Sequence, residues 1–193
     1  MIDRTMPMLI NALEFISKAE SITSQEAFHK LLDWCAVKIG IDGVFSSMKS
    51  VTSETLKDIV DLNLLKDTAD DWFGILYEIV FEIQLQSLES WNKTIEDHKI
   101  KETHGFTKSI LFETVETGRP LLATYNKYGN EFLLYGIEKD ILKYHIALVN
   151  IKLFNIPAFV INVDIQEGKN FNTSSENWRM SNIWNAPKAK WFN

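Results

Sequence analysis

The sequence predicts an α/β protein in which a lobe of helices (about 1–104) is followed by a sheet of three or four parallel strands with helices (about 105–193). Three observations predict it. Apolar residues recur at intervals of three and four through the first half, the period of a helix. After Lys108, short apolar runs of strand type alternate with helical stretches. The loops between them are short, which suits strand–helix–strand units with right-handed parallel crossovers.

Met8, Leu9, Leu13, Phe15 and Ile16 carry the first helix. Thr23-Ser24-Gln25-Glu26 then spells a capping box, in which the threonine hydroxyl accepts from the third amide and the glutamate reaches back. It opens a helix whose Phe28, Leu31, Leu32, Cys35, Ala36 and Ile39 form one stripe, closed by Gly40. Ile41-Asp42-Gly43 reads as a turn, and Thr52 or Ser53 is expected to cap a third helix through Leu56, Ile59, Val60 and Leu64. Thr68 precedes the strongest helical pattern, Ala69 to about Ser90, with Asp70 and Asp71 in the first turn, where the helix dipole favours negative charge. Trp91 to Gly105 is polar and is expected to connect the two halves. Ile110–Val115, Phe132–Ile137 and Ala158–Val163 read as strands. Pro120–Lys127 and Lys139–Asn155 read as the helices between them, with Pro157 breaking the second. The tail from Gln166 onward is polar and carries Trp178, Trp184 and Trp191.

Composition narrows the function classes. The 193 residues are 46% hydrophobic and 24% charged, which excludes a disordered or low-complexity chain. Twenty basic against twenty-six acidic residues give a formal charge of -6, unlike a protein whose whole surface coats nucleic acid. The single cysteine, Cys35, can form neither an internal disulfide nor a thiolate cluster and fits a reducing compartment. The start of the chain lacks a basic segment followed by a clean apolar stretch, and no apolar run approaches the roughly 18–20 residues of a membrane helix, so a cytoplasmic protein is expected.

In a parallel sheet, small cofactors bind at the carboxyl ends of the strands, over the first tight turn. Here that turn is Val115-Glu116-Thr117-Gly118-Arg119. Twenty positions after Gly118 comes Glu138, at the end of the second strand, where a carboxylate can accept both hydroxyls of a ribose. Asp164 ends the third strand and can accept from an adenine amino group. Singly these signals are weak, because a turn glycine needs only a positive φ and a strand-end glutamate is usually a solvated charge. Their order at matched strand ends gives them weight.

Residues 112–187 resemble the front half of the N6-adenine DNA methyltransferases of restriction-modification systems. Those enzymes carry Asp-Pro-Ala-Cys-Gly-Thr-Gly ahead of a Leu-Leu-Ala helix. This chain has Phe112-Glu113-Thr114-Val115-Glu116-Thr117-Gly118, then Arg119-Pro120-Leu121-Leu122-Ala123. Leu134-Tyr135-Gly136-Ile137-Glu138-Lys139-Asp140 is similar to the family's second motif, whose acid holds the ribose of S-adenosylmethionine. Ile146 to Leu153 resembles the Ala-x-x-Asn-x-x-Leu segment, and Ile161-Asn162-Val163-Asp164 falls where the family has Gly-Asp facing the cofactor adenine. Asp71-Trp72-Phe73-Gly74-Ile75-Leu76-Tyr77-Glu78 is similar to the Leu-Gly-x-x-Tyr-Glu helix of the amino-terminal lobe. The resemblance implies a Rossmann-like sheet, with S-adenosylmethionine as cofactor held by Thr117, Gly118, Glu138 and Asp164.

The departures from the family pattern bear on activity. Phe112 replaces the aspartate of the first motif, the proline is gone, and Glu116 takes the place of the first glycine. A glutamate there obstructs the close approach of the cofactor's methionine end and opposes its carboxylate. The family's catalytic Asn-Pro-Pro-Tyr/Phe accepts from the target amine and stacks the flipped base. Its counterpart here is Asn185-Ala186-Pro187-Lys188, a degenerate remnant in which Asn185 and Pro187 survive and the aromatic is lysine. The sequence stops five residues past Lys188, where such an enzyme needs further strands and a target-recognition domain. The expectation is a non-catalytic protein that acts by protein binding, as an antagonist or mimic of a host restriction enzyme would in a phage or mobile element. The alternative is one piece of a split adenine methyltransferase completed by a partner chain. A sheet of this size leaves an edge and a face to be covered, by the tail, a second copy or a protein partner; contact with DNA would be indirect.

The remaining constellations carry less. His29, His98, His104 and His145 are too scattered for a metal-ligand spacing, so no metal is expected. Neither a Gly-x-Ser-x-Gly elbow nor a Gly-x-x-x-x-Gly-Lys phosphate loop occurs. Arg179, Lys188 and Lys190 with the tail tryptophans and Phe192 form an aromatic-basic mix that suits stacking of single-stranded bases or covering of the protein's own core. Asp67, Asp70, Asp71 and Glu78 are explained by a dipole-matched helix start, and their charge density is too low for mimicry of DNA phosphates.

Overall fold

A computed structural model gives the fold and describes residues 4–41, 48–67, 70–97 and 109–162. Its first part is helical: α1 (Thr5–Glu20), α2 (Ser24–Lys38), α3 (Ser50–Ile59), α4 (Leu62–Asp67), α5 (Trp72–Phe81) and α6 (Leu88–Asp97). Then come β1 (Ser109–Phe112), α7 (Arg119–Tyr128), β2 (Leu133–Glu138), α8 (Ile141–Leu153) and β3 (Ala158–Asn162). The strands lie side by side in the order β1-β2-β3, all parallel. Helices α7 and α8 are the two crossovers, and α8 packs on β2 and β3.

Local chemistry accounts for the element ends. The capping box of α2 forms as expected, with Thr23 Oγ1 accepting from the Glu26 amide and Glu26 accepting from the Thr23 amide. Gly40 follows α2 at φ +80, the left-handed conformation in which the Ile41 amide reaches back to the Ala36 carbonyl. The Asp140 carboxylate caps α8 by accepting from the Leu142 and Lys143 amides.

Three expectations are corrected. The third helix begins at Ser50, leaving Thr52 buried inside it, and stops at Ile59. The Asp61 carboxylate then accepts from the Asn63 amide and opens α4 as a separate helix. The long pattern from Ala69 to Ser90 is interrupted. Helix α5 starts after Asp71, whose side chain accepts from the Gly74 amide, and ends where Glu82 turns left-handed at φ 54. The helical pattern is overridden by two side chains: the Glu78 carboxylate accepts from the Leu85 amide, and Arg119, from far along the chain, donates to the Gln86 carbonyl, so that 83–87 are held outside any helix. The polar stretch after Trp91 is helical as far as Asp97. Leu88, Trp91 and Ile95 lie three and four apart, and α6 packs on α7 with Ile95 buried and Trp91 set edge-on to Phe112.

One apolar core runs through the described residues. Leu9, Ile16, Phe28, Leu32, Leu56, Phe73 and Leu76 of the helices join Val115, Leu121, Leu134, Ile146 and Val160 of the sheet region. Helices α2 and α5 pack on α8, so the helical part is stacked on the side of the sheet that α8 covers.

Candidate functional site

The carboxyl ends of β1 and β2 lie side by side, since Phe112 pairs with Gly136 and the Val115 amide continues the pairing to the Ile137 carbonyl. The chain then turns sharply. The Gly118 amide donates to the Val115 carbonyl at 2.7 Å, and Gly118 adopts φ +97 as the cap of α7. Only glycine suits that position, because a Cβ would sit 3.2 Å from the Ala147 backbone as well as demand a positive φ. Glu116 is also left-handed, at φ 50, which costs a residue with a side chain about 1 kcal/mol or more.

Glu138 ends β2 directly beside this turn and is only 4% exposed. Its two oxygens are taken by neighbours in the same chain. Oε2 accepts from the Glu116 amide at 2.8 Å and the Thr114 hydroxyl at 3.2 Å, and Oε1 accepts from the Asp140 amide at 2.9 Å. The Asn162 amide closes the edge by donating to the Glu138 and Lys139 carbonyls. Beside it, burial pushes the Glu116 carboxyl above its ordinary range against the pull of Lys143 and Arg119, and the Glu138 charge adds to the rise.

The opposite side of the turn holds a buried polar network that the spacing of residues did not foreshadow. Asp71, fully buried at the start of α5, accepts from the Thr117 hydroxyl and from Arg119 Nε at 2.6 Å through Oδ2. Its Oδ1 accepts from the Gly74 amide at 2.8 Å and from Asn150 Nδ2 at 2.7 Å. The same Asn150 nitrogen donates to the Thr117 carbonyl. Arg119 completes the set, with Nη2 donating to Glu78 Oε2 at 2.5 Å and Nη1 to the Gln86 carbonyl. Gly74 is required here, since a Cβ would fall 1.8 Å from the Asp71 carboxylate. Burial pushes Asp71 up to about 6 despite the Arg119 charge and the donors around it. Burial also works against Glu78, but hydrogen bonds from Arg119 and the Leu85 amide hold its carboxyl below the usual range.

Of the residues singled out from the sequence, Thr117, Gly118 and Glu138 are therefore brought together, while Asp164, Asn185 and Pro187 lie outside the described residues. The Thr117 hydroxyl is given to Asp71 and makes no bond to Glu138. Asp71, Glu78, Arg119 and Asn150 are the members that site reasoning missed. A signal for them existed: Asn150 is a polar residue within the apolar stripe of α8, and a buried amide needs polar partners. Among the described residues, no group of three or more His, Cys, Asp and Glu side chains is placed to hold a metal ion, and no helix is long and apolar enough to cross a membrane. The Cys35 thiol is fully buried, which pushes its pKa up and makes it inert.

Glu138 as placed does not fit the two hydroxyls of a ribose. Three of the roughly four acceptor positions of the acid meant to take the two hydroxyls are used by donors of its own chain, the acid is 4% exposed, and Glu116 stands at the left-handed turn position where a glycine would let a cofactor approach. Comparison of the chain with protein-family models, curated proteins and solved structures finds no match.

Proposed function

We propose that this chain is a methyltransferase-like protein that does not transfer methyl groups and acts by binding another protein. The likeness to N6-adenine DNA methyltransferases is supported by where the four resembling segments meet. The segment with Gly74 and Glu78 and the helix with Asn150 meet the turn at Thr117 and Arg119 in one set of hydrogen bonds, and the strand end at Glu138 meets the same turn through the Glu116 amide. The left-handed backbone at Glu116 supports it too, because that is the position at which the family pattern has its first glycine.

The observation that carries the loss of activity is the closed carboxylate of Glu138. To accept both ribose hydroxyls it would have to surrender at least one of the hydrogen bonds from Glu116, Thr114 and Asp140, and a carboxylate at position 116 opposes the negative end of the cofactor. Titration calorimetry with S-adenosylmethionine tests the proposal. The expected trace is flat. Micromolar binding that disappears in Glu138→Ala and Asp164→Ala would overturn it and favour one piece of a split adenine methyltransferase.

A further inference from the structure

We propose that Asp71 is an acid-sensitive latch between the helical part and the β1–α7 turn, opened when a proton on its carboxylate reverses the Asn150 side-chain amide and frees the Thr117 carbonyl. An ionised carboxylate offers roughly four acceptor positions. All of them are used here: Oδ2 takes the Thr117 hydroxyl and Arg119 Nε, and Oδ1 takes the Gly74 amide and Asn150 Nδ2. A protonated Asp71 is therefore a donor facing donors. The Gly74 amide and the guanidinium cannot accept its hydrogen. Asn150 can, because its Oδ1 is buried with no hydrogen-bond partner, and a half-turn of the amide puts that oxygen where the nitrogen stands. The Asp71 Oδ1 hydrogen then goes to Asn150 Oδ1. The same half-turn sets oxygen against oxygen at the Thr117 carbonyl, which in the ionised state holds Nδ2 at 2.8 Å, so that contact breaks.

The latch is placed to move the strand tips. Thr117 stands between Glu116 and Gly118, both left-handed at φ 50 and φ 97, and the Glu116 amide holds the carboxylate that ends β2. The charges around Asp71 leave it open to protonation. Arg119 meets it from the turn but is shared with Glu78, so one cation serves two carboxylates. Asp70 lies beside it and accepts from the Asp71 amide, and Glu116 and Glu138 stand at the far side of the turn. Helix α8 meets it with the neutral Asn150, and the residues that α1 buries are uncharged. Helix α2 sets His29 against Phe81, at the other end of α5 and roughly 15 Å along its axis. Burial pushes Asp71 up to about 6, within reach of mild acid. Protonation leaves Arg119 paired with Glu78. This inference is independent of whether the protein binds S-adenosylmethionine.

Nuclear magnetic resonance of the full chain between pH 8 and pH 5 tests it. The Asp71 carboxyl carbon is expected to titrate, and the Asn150 Nδ2 hydrogens to shift with the same midpoint. Amide-exchange protection at Glu116 and Gly118, corrected for the intrinsic pH dependence, is expected to fall about tenfold or more over that titration. Protection at Leu31 and Leu32 of α2 is expected to hold, which separates the latch from general acid unfolding. Asp71→Asn carries hydrogens at this site at every pH and is expected to show the low turn protection already at pH 8. The titration of the unaltered chain decides the matter even if that variant does not fold. A carboxyl that does not titrate over this range would overturn the proposal. So would an Asn150 amide indifferent to the titration, which gives the proton to the Thr117 hydroxyl instead, or turn protection that stays constant, follows a different midpoint or falls together with that of α2.

Discussion

At the scale of single residues, the turn between β1 and α7 is decided by Arg119. Its guanidinium bridges the buried carboxylate of Asp71 and that of Glu78, and no other described cation contacts either one. Arg119→Met removes that bridge and leaves Asp71 as a buried acid among neutral donors. Breaking a buried pair by removing one partner typically costs about 3–5 kcal/mol. The penalty has a defined pH dependence. Asp71 is raised to about 6 by burial, so its protonated form is favoured in the folded chain, and the stability this contributes is lost as pH climbs through 6. Without Arg119 the rise is larger still. Urea unfolding of Arg119→Met is therefore expected to show a loss of about 3 kcal/mol at pH 8 and a smaller loss at pH 5.5. A penalty equal at both values would contradict the assignment of Arg119 as the counter-charge of Asp71.

At the scale of elements, ends that depend on neighbouring residues are legible in the sequence and ends that depend on distant ones are not. The capping box at Thr23 and the left-handed Gly40 involve donors and acceptors within a few positions, and both ends of α2 were readable. The end of α5 is different. Glu82 is an exposed, left-handed residue with no glycine to announce the stop, and the segment beyond it is fixed by Arg119, more than thirty positions away. Glu82→Gly is expected to stabilise the protein by roughly 0.5–1 kcal/mol, read as a higher urea midpoint at unchanged slope, because glycine takes this conformation without a steric penalty. A lower midpoint would mean that the side chain has a part in holding the break.

At the scale of the whole molecule, the helices and the sheet are joined by both kinds of interaction. The apolar core is continuous from Leu9 to Val160, and Asp71 at the start of α5 is hydrogen-bonded to the β1–α7 turn and to α8. Two parts that share a core and a buried polar network unfold together. Far-ultraviolet circular dichroism and tryptophan fluorescence are expected to report one coincident urea transition, and Arg119→Met is expected to move both curves equally. Separate midpoints would show that the helical part stands without the sheet. The stacking of Tyr135 on Phe159 belongs to this scale as well, since only the assembled strands bring the two rings and Leu111 into register.

The sequence by itself determined the alternation of strands and helices after Lys108, the parallel sheet that follows from it, and the adjacency of Gly118 and Glu138 at its tips. Those features come from periodicity and from short connections, which neighbouring residues specify. The tertiary structure alone decided what the acids are used for. Asp71, Thr117, Arg119 and Asn150 are scattered over 80 positions and meet only when α5, α7 and α8 pack together. Glu138 carries an occupied carboxylate because the turn folds the Glu116 amide and the Thr114 hydroxyl onto it and the Asp140 amide adds a third donor. A carboxylate on paper is a potential acceptor, and its donors are chosen by the fold.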